Sequence, residues 1–361
     1  MIEKYYSGVI EQIYNRIGKE TRNIVMANYS NDFSIENLEV IRRYQSNEDN
    51  VFFAYSEFSY NTLVGAYEPF LDIICNMHRR FIGGSFDDFQ KECGVYYLHR
   101  QVLNSYYETG ECFREETVLL NEVAYEQRRM TMAIADMLKK LSEVKPLMIV
   151  INRFQMASKS SIETIKYLID NPCANIGIVL GVNAIVKGTD STVEVWDRIV
   201  ESLEDRSAIY YIGSAGPLKN NVKTTNDDEL YITMNFEQSI QEASNIMEFL
   251  DFEQARRGCR IIEHKLKFED AWIDEKSLRR FYMVYARTSV LLGEMSKAIE
   301  LTNEYKALIP ENDSEHYLSL YYFMKGTCYM YQGKLEKAGN SAKSAYAVSY
   351  THLTLPTTSR V

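Results

Sequence analysis

"MIVINRFQMASKSSIETIKYLI" occupies residues 148–169, and the reading of this stretch decides the fold. The run Met148–Ile151 is continuously apolar and does not alternate. Such a run suits a strand buried on both faces, as in a parallel sheet. It stops at two polar residues, Asn152 and Arg153, and the helical pattern "SSIETIKYLIDN" follows. Strand, polar end and helix together make one repeat of a strand–helix alternation.

The alternation extends in both directions. "NIVMA" (23–27), "VFFAYSE" (51–57), "IGIVLGV" (176–182) and "AIYYIG" (208–213) are further short apolar runs, and with "PLMIVIN" (146–152) they make five. Helical patterns separate them: "SIENLEVIRRYQ" after the first, "STVEVWDRIVESLEDR" after the fourth, and a long helical insertion over 85–145 after the second. The expectation is an α/β domain over about residues 20–215, a parallel sheet in three layers joined by right-handed crossovers. Residues 1–19 read as an N-terminal amphipathic helix.

A polar, turn-rich boundary, "GSAGPLKNNVKTTNDDE" (213–229), reads as a linker over 216–235. Beyond it the pattern is wholly helical to about Ala347. "FLDFEQARRGCRII" (249–262), "LLGEMSKAIELTNE" (291–304) and "YQGKLEKAGNSAKS" (331–344) align on Ala255, Ala298 and Ala338. Gly293 and Gly333 precede their alanines by five residues, where a tight turn joins two helices; Ala286 and Gly326 stand seven before each glycine, where a hairpin's helices approach closely. The closing "SYTHLTLPTTSRV" follows no repeat logic. It resembles translated sequencing adapter, so 348–361 are set aside as a tail and the natural protein is expected to continue past residue 348.

Composition narrows the function. Of 361 residues 46% are apolar and 25% charged, as in an ordinary globular protein. A formal charge of −10 argues against a dominant nucleic-acid surface. Arg79-Arg80 and Arg128-Arg129 read as solvated helix faces. The six cysteines form no C-x-x-C pair, the five histidines share no ligand spacing, and no apolar run nears the ~20 residues of a membrane span. With no apolar leader at the start, these features read as a cytoplasmic, metal-free chain.

A P-loop fold supplies the sharpest test. Its first strand leads through G-x-x-x-x-G-K-[ST] into a helix, with backbone N–H groups cradling the phosphates, a lysine neutralising them and a hydroxyl on magnesium. Here the connection after "NIVMA" is "NYSNDFS" (28–34). It runs from Asn28, contains no glycine, and puts Ser34 or Ile35 at the lysine position. Asp32 would repel a phosphate. The metal-binding and water-polarising acids belong after the third strand, where the chain has Asn152 and Arg153. These six residues mark a degenerate nucleotide site.

The order of the elements carries a resemblance. Gln155, Ala157 and Ser158 ahead of a helix resemble the strand-to-helix segment of the STAND branch of P-loop, AAA-like ATPases, and "VFFAYSEFSYNTLVGAYEPFLDII" (51–74) is similar to a second segment of that branch. The family includes LuxR-type bacterial transcription regulators. The small residues at 286, 293, 298, 326, 333 and 338 resemble the tetratricopeptide repeat, with Ser289, Thr302 and Tyr305 departing from its usual types. The resemblance implies an α/β P-loop-NTPase-like domain followed by all-α repeats over 236–347. It implies a signal-transduction or transcription-regulatory protein, and the losses at the nucleotide-site positions leave no catalytic residue and no cofactor to expect. The alternative keeps ATP as a conformational switch. The repeats would hold a protein or peptide in a groove lined by Arg280, Met283, Arg287, Leu320, Phe323 and Thr327. DNA would be met only through a C-terminal domain absent from this sequence, and no membrane is involved.

Overall fold

The computed structural model describes residues 2–19, 23–28, 38–45, 50–58, 63–114, 118–183, 209–212, 235–268, 273–311 and 314–354. The chain divides into two compact units. The first comprises 1–117, 124–233 and 248–251; the second comprises 118–123, 234–247 and 252–361.

The first unit is built on five parallel strands, β1 (Asn23–Asn28), β2 (Phe52–Glu57), β3 (Leu147–Asn152), β4 (Ile176–Asn183) and β5 (Ile209–Ile212). They lie in the order β2-β3-β4-β1-β5. All five apolar runs of the sequence are strands. The reason lies in their burial: Leu147, Ile149, Ile151, Ile178 and Leu180 are buried on one face, and Phe53, Met148, Val150 and Val179 on the other. Neither face meets water, so an alternating pattern has no use here.

Helix α1 (Ile2–Tyr14) and helix α2 (Glu39–Gln45) cover one face. Val9, Ile10 and Ile13 of α1 and Val40 and Ile41 of α2 pack with Phe53, Met148, Val150 and Val179. Helix α1 thus packs as a layer on the sheet. Gly177 makes room for it, since a Cβ there would stand 2.9 Å from Ile13 Cγ2. After β2 come α3 (Phe70–Met77) and then, within the insertion expected over 85–145, α4 (Phe86–Glu92), α5 (Tyr97–Thr109) and α6 (Val123–Val144). Gly94 and Gly110, both at positive φ, end α4 and α5.

Helix α7 (Lys159–Asp170) follows β3, and Ser158 caps it by accepting the Ser161 N–H. A carboxylate reaches the same helix start: Asp251 Oδ2 accepts the Ser160 N–H at 3.0 Å. The turn 248–251 belongs to this unit. Arg114 and Gln127 donate to its carbonyls of Glu248 and Leu250, at 3.0 and 2.6 Å. Phe249 packs edge-on to Tyr67 and Tyr106.

The second unit consists of helices α8 (Phe236–Glu248), α9 (Phe252–Phe268), α10 (Glu275–Leu291), α11 (Met295–Ala307), α12 (Ser314–Tyr331) and α13 (Leu335–Thr354). Gly293 and Gly333, at φ 79° and 72°, turn the chain between α10 and α11 and between α12 and α13. Gly326 lies at a close crossing, where an added Cβ would sit 3.3 Å from Ser341 Cβ and 3.5 Å from Ala338 O. Consecutive hairpins are tied like to like. Arg256 of α9 meets Glu294 before α11 at 2.6 Å and Glu263 meets Lys297 at 3.1 Å. Arg280 of α10 donates to Gln241 of α8, and the Arg279 guanidinium lies 4.9 Å from the Tyr317 ring of α12.

One boundary moves. Helix α13 runs to Thr354, into the stretch that the sequence reading set aside as a tail. No glycine or proline stands between Ala347 and Thr354 to break the helix. The linker expected over 216–235 falls, apart from Asn235, outside the described residues.

Candidate functional site

The strand order fixes where a site belongs. From β1 the chain moves past β4 and β3 to β2, and from β4 it crosses β1 to β5. Neighbouring strands β1 and β4 therefore send their connections in opposite directions. In open α/β sheets such a switch point, outside the carboxyl ends of the strands, is the general position of ligand sites. Asn28 and Asn183 are register partners at that edge. Of the expected phosphate loop, Asp32, Ser34 and Ile35 lie outside the described residues, and Asn28 is described as backbone only.

The third-strand half of the site is fully described. Asn152 is the last residue of β3, buried, and pairs in register with Glu57 at the end of β2. Its carbonyl accepts the Phe58 N–H at 3.2 Å. Arg153 then adopts the left-handed conformation, φ 54° and ψ 40°, which costs a non-glycine residue about 1–2 kcal/mol. The turn aims its guanidinium across the sheet edge. Arg153 Nη2 meets Glu57 Oε1 at 2.9 Å, and Nη1 donates to Phe58 O at 3.4 Å. Glu57 Oε2 accepts the Tyr55 hydroxyl at 3.2 Å. Both members are partly exposed, 38% and 20%, so the pair itself contributes only about 0–1 kcal/mol.

The arrangement has a chemical consequence. The carboxylate at this edge belongs to β2, not β3, and a guanidinium lies against it. The Arg153 guanidinium thus already neutralises the Glu57 carboxylate at this edge. Sequence reasoning found Asn152 and Arg153 but missed Glu57, although it closes the quoted run "VFFAYSE". Only the β2–β3 register brings the two together. Among the described residues, no cluster of three or more His, Cys, Asp or Glu could hold a metal ion. No described helix is long and apolar enough to cross a membrane.

The second candidate surface lies on the helical unit. Leu320 and Phe323 of α12 are 36% and 51% exposed, and Thr327 caps back onto Phe323 O at 3.0 Å. Met283 and Arg287 of α10 are half-buried and Arg280 is exposed. Gln241, the partner of Arg280, went unassigned in the sequence.

No protein-family model and no curated protein matches the chain. A solved structure of the Aeropyrum pernix ORC2 protein, in ADPNP-ADP complexes, aligns over 97% of this chain and 93% of its own. The identity is 9% and the TM-score 0.28. A likeness that loose carries no argument about ligand or activity.

Proposed function

We propose that this chain is a regulatory or interaction protein, a nucleotide-independent STAND-like α/β unit joined to tetratricopeptide-like repeats. The reading places it with bacterial signal-transduction and transcription-regulatory proteins of the cytoplasm. The observation that carries the first half is the Arg153–Glu57 pair. An arginine turned back onto the nearest acid leaves neither a magnesium ligand nor a general base at the end of β3. The sheet persists regardless, because apolar burial at roughly 25 cal/mol per Å² does not depend on a phosphate site.

The like-to-like ties between hairpins support the second half. A stack of helix pairs, each buried only against its neighbours, is the logic of a solenoid and presents one continuous face to a partner. Arg280 and Arg287 on that face favour an acidic segment. Phosphate release from ATP is the test: turnover should stay at buffer background. Replacing 28–35 by G-x-x-x-x-G-K-T should not restore it, since Asn152 and Arg153 remain. Turnover in the native chain that vanishes on mutating 28–35 would overturn the reading. The rival, ATP held as a conformational switch, draws on the switch point between β1 and β4.

A further inference from the structure

The stripe formed on α12 by Leu320, Phe323 and Thr327 continues, one helical step on, to Tyr331. That position is already engaged. The Tyr331 hydroxyl accepts the backbone N–H of Leu120 at 2.8 Å, across 211 residues of sequence. Residues 118–123 belong with the helical unit. Val118 is buried, and the Glu122 N–H donates to Leu119 O at 2.9 Å, closing a turn. The surrounding sequence, "EETVLLNE" (115–122), sets three glutamates about three apolar residues. This is the composition that apolar Leu320 and Phe323, with Arg280 and Arg287 on the neighbouring helix, would recognise. Leu320, Phe323 and Met330 nevertheless stay 36–51% exposed, so the segment engages the Tyr331 end and leaves the remainder open.

We propose that residues 118–123 are a built-in ligand of the α12 face, and that an outside partner binds there as a segment of the same acidic-apolar chemistry. Such a partner would surrender a backbone N–H to Tyr331 after displacing the resident segment. The inference rests on the repeat face being a peptide-binding surface.

The probe is a fluorescein-labelled synthetic peptide with the sequence of residues 114–124, titrated with the full chain and followed by anisotropy. Two chain variants loosen the resident segment: Leu120→Pro removes the donated N–H, and Val118→Asp places a charge at a buried position. Each should bind the peptide at least tenfold more tightly than the unaltered chain. Adding Tyr331→Phe should weaken that binding. Equal binding by the unaltered chain and both variants would overturn the inference, since the face would be open, while leaving the peptide-binding reading intact. Binding by none would overturn it too, and charge reversal at Arg280 and Arg287 against outside partners would then judge the broader reading separately. Should either variant fail to fold, amide exchange decides: the Leu120 N–H should be protected in the native chain and at least tenfold faster in Tyr331→Phe. An unprotected Leu120 would end the proposal.

Discussion

Arg153 and His99 show how single residues set chemistry here. Arg153 accepts a left-handed backbone to reach Glu57, so its replacement is informative in both directions. Arg153→Gly relieves the backbone and removes a weak, exposed pair; the melting temperature should change little, by the equivalent of about 1 kcal/mol or less. A large loss would mean the pair organises the sheet edge. His99 is fully buried, its Nε2 3.0 Å from Glu126 Oε2, with Arg129 on the same carboxylate at 3.2 Å. Burial, with the charges of Arg114 and Arg129, holds its imidazolium down to about 3. The native state therefore keeps His99 neutral where the unfolded chain takes up a proton. Its contribution is complete above about pH 6.5 and is lost as pH falls toward 3. Urea denaturation should show stability falling across that window by an amount on the order of a few kcal/mol, with a shallower slope in His99→Gln. An unchanged slope would remove His99 from the account.

At the level of elements, the legible and illegible parts separate cleanly. The five strands could be read because a sheet covered on both faces demands unbroken apolar runs, as in "MIVI" and "IGIVLGV". The turns at Gly293 and Gly333 could be read because a positive φ selects glycine. The Arg153–Glu57 pair could not, since it depends on the β2–β3 register. Nor could the bond from Leu120 to Tyr331, which no local pattern encodes. Close approaches give the stability tests. Gly177→Val would drive a side chain into Ile13 and Ile17 of the α1 layer and should cost roughly 1–3 kcal/mol. Pairing it with Ile13→Ala should recover part of that loss, a coupling that a double-mutant cycle reads directly. Gly326→Leu should lower the melt by a similar roughly 1–3 kcal/mol, through Ser341 and the Ala338 carbonyl. Charge reversal at Arg280 and Arg287 acts on an exposed face. It should weaken partner capture and shift the circular-dichroism melt far less than Gly326→Leu. Undiminished capture would mean that the partner binds elsewhere.

For the whole molecule, the account joins a five-stranded parallel sheet to a helical stack that offers a face. The α/β unit has a topological switch point between β1 and β4, and the end of β3 carries Arg153 paired with Glu57 of β2. On the proposed reading the α/β unit serves as a scaffold and the helices carry recognition. The most direct test is a titration of the full chain with a fluorescent ATP analogue, with and without magnesium. The account predicts no saturable signal up to millimolar chain in either condition. Saturable binding that strengthens with magnesium and is lost on altering residues 28–35 would contradict it, and would make the α/β unit a nucleotide switch.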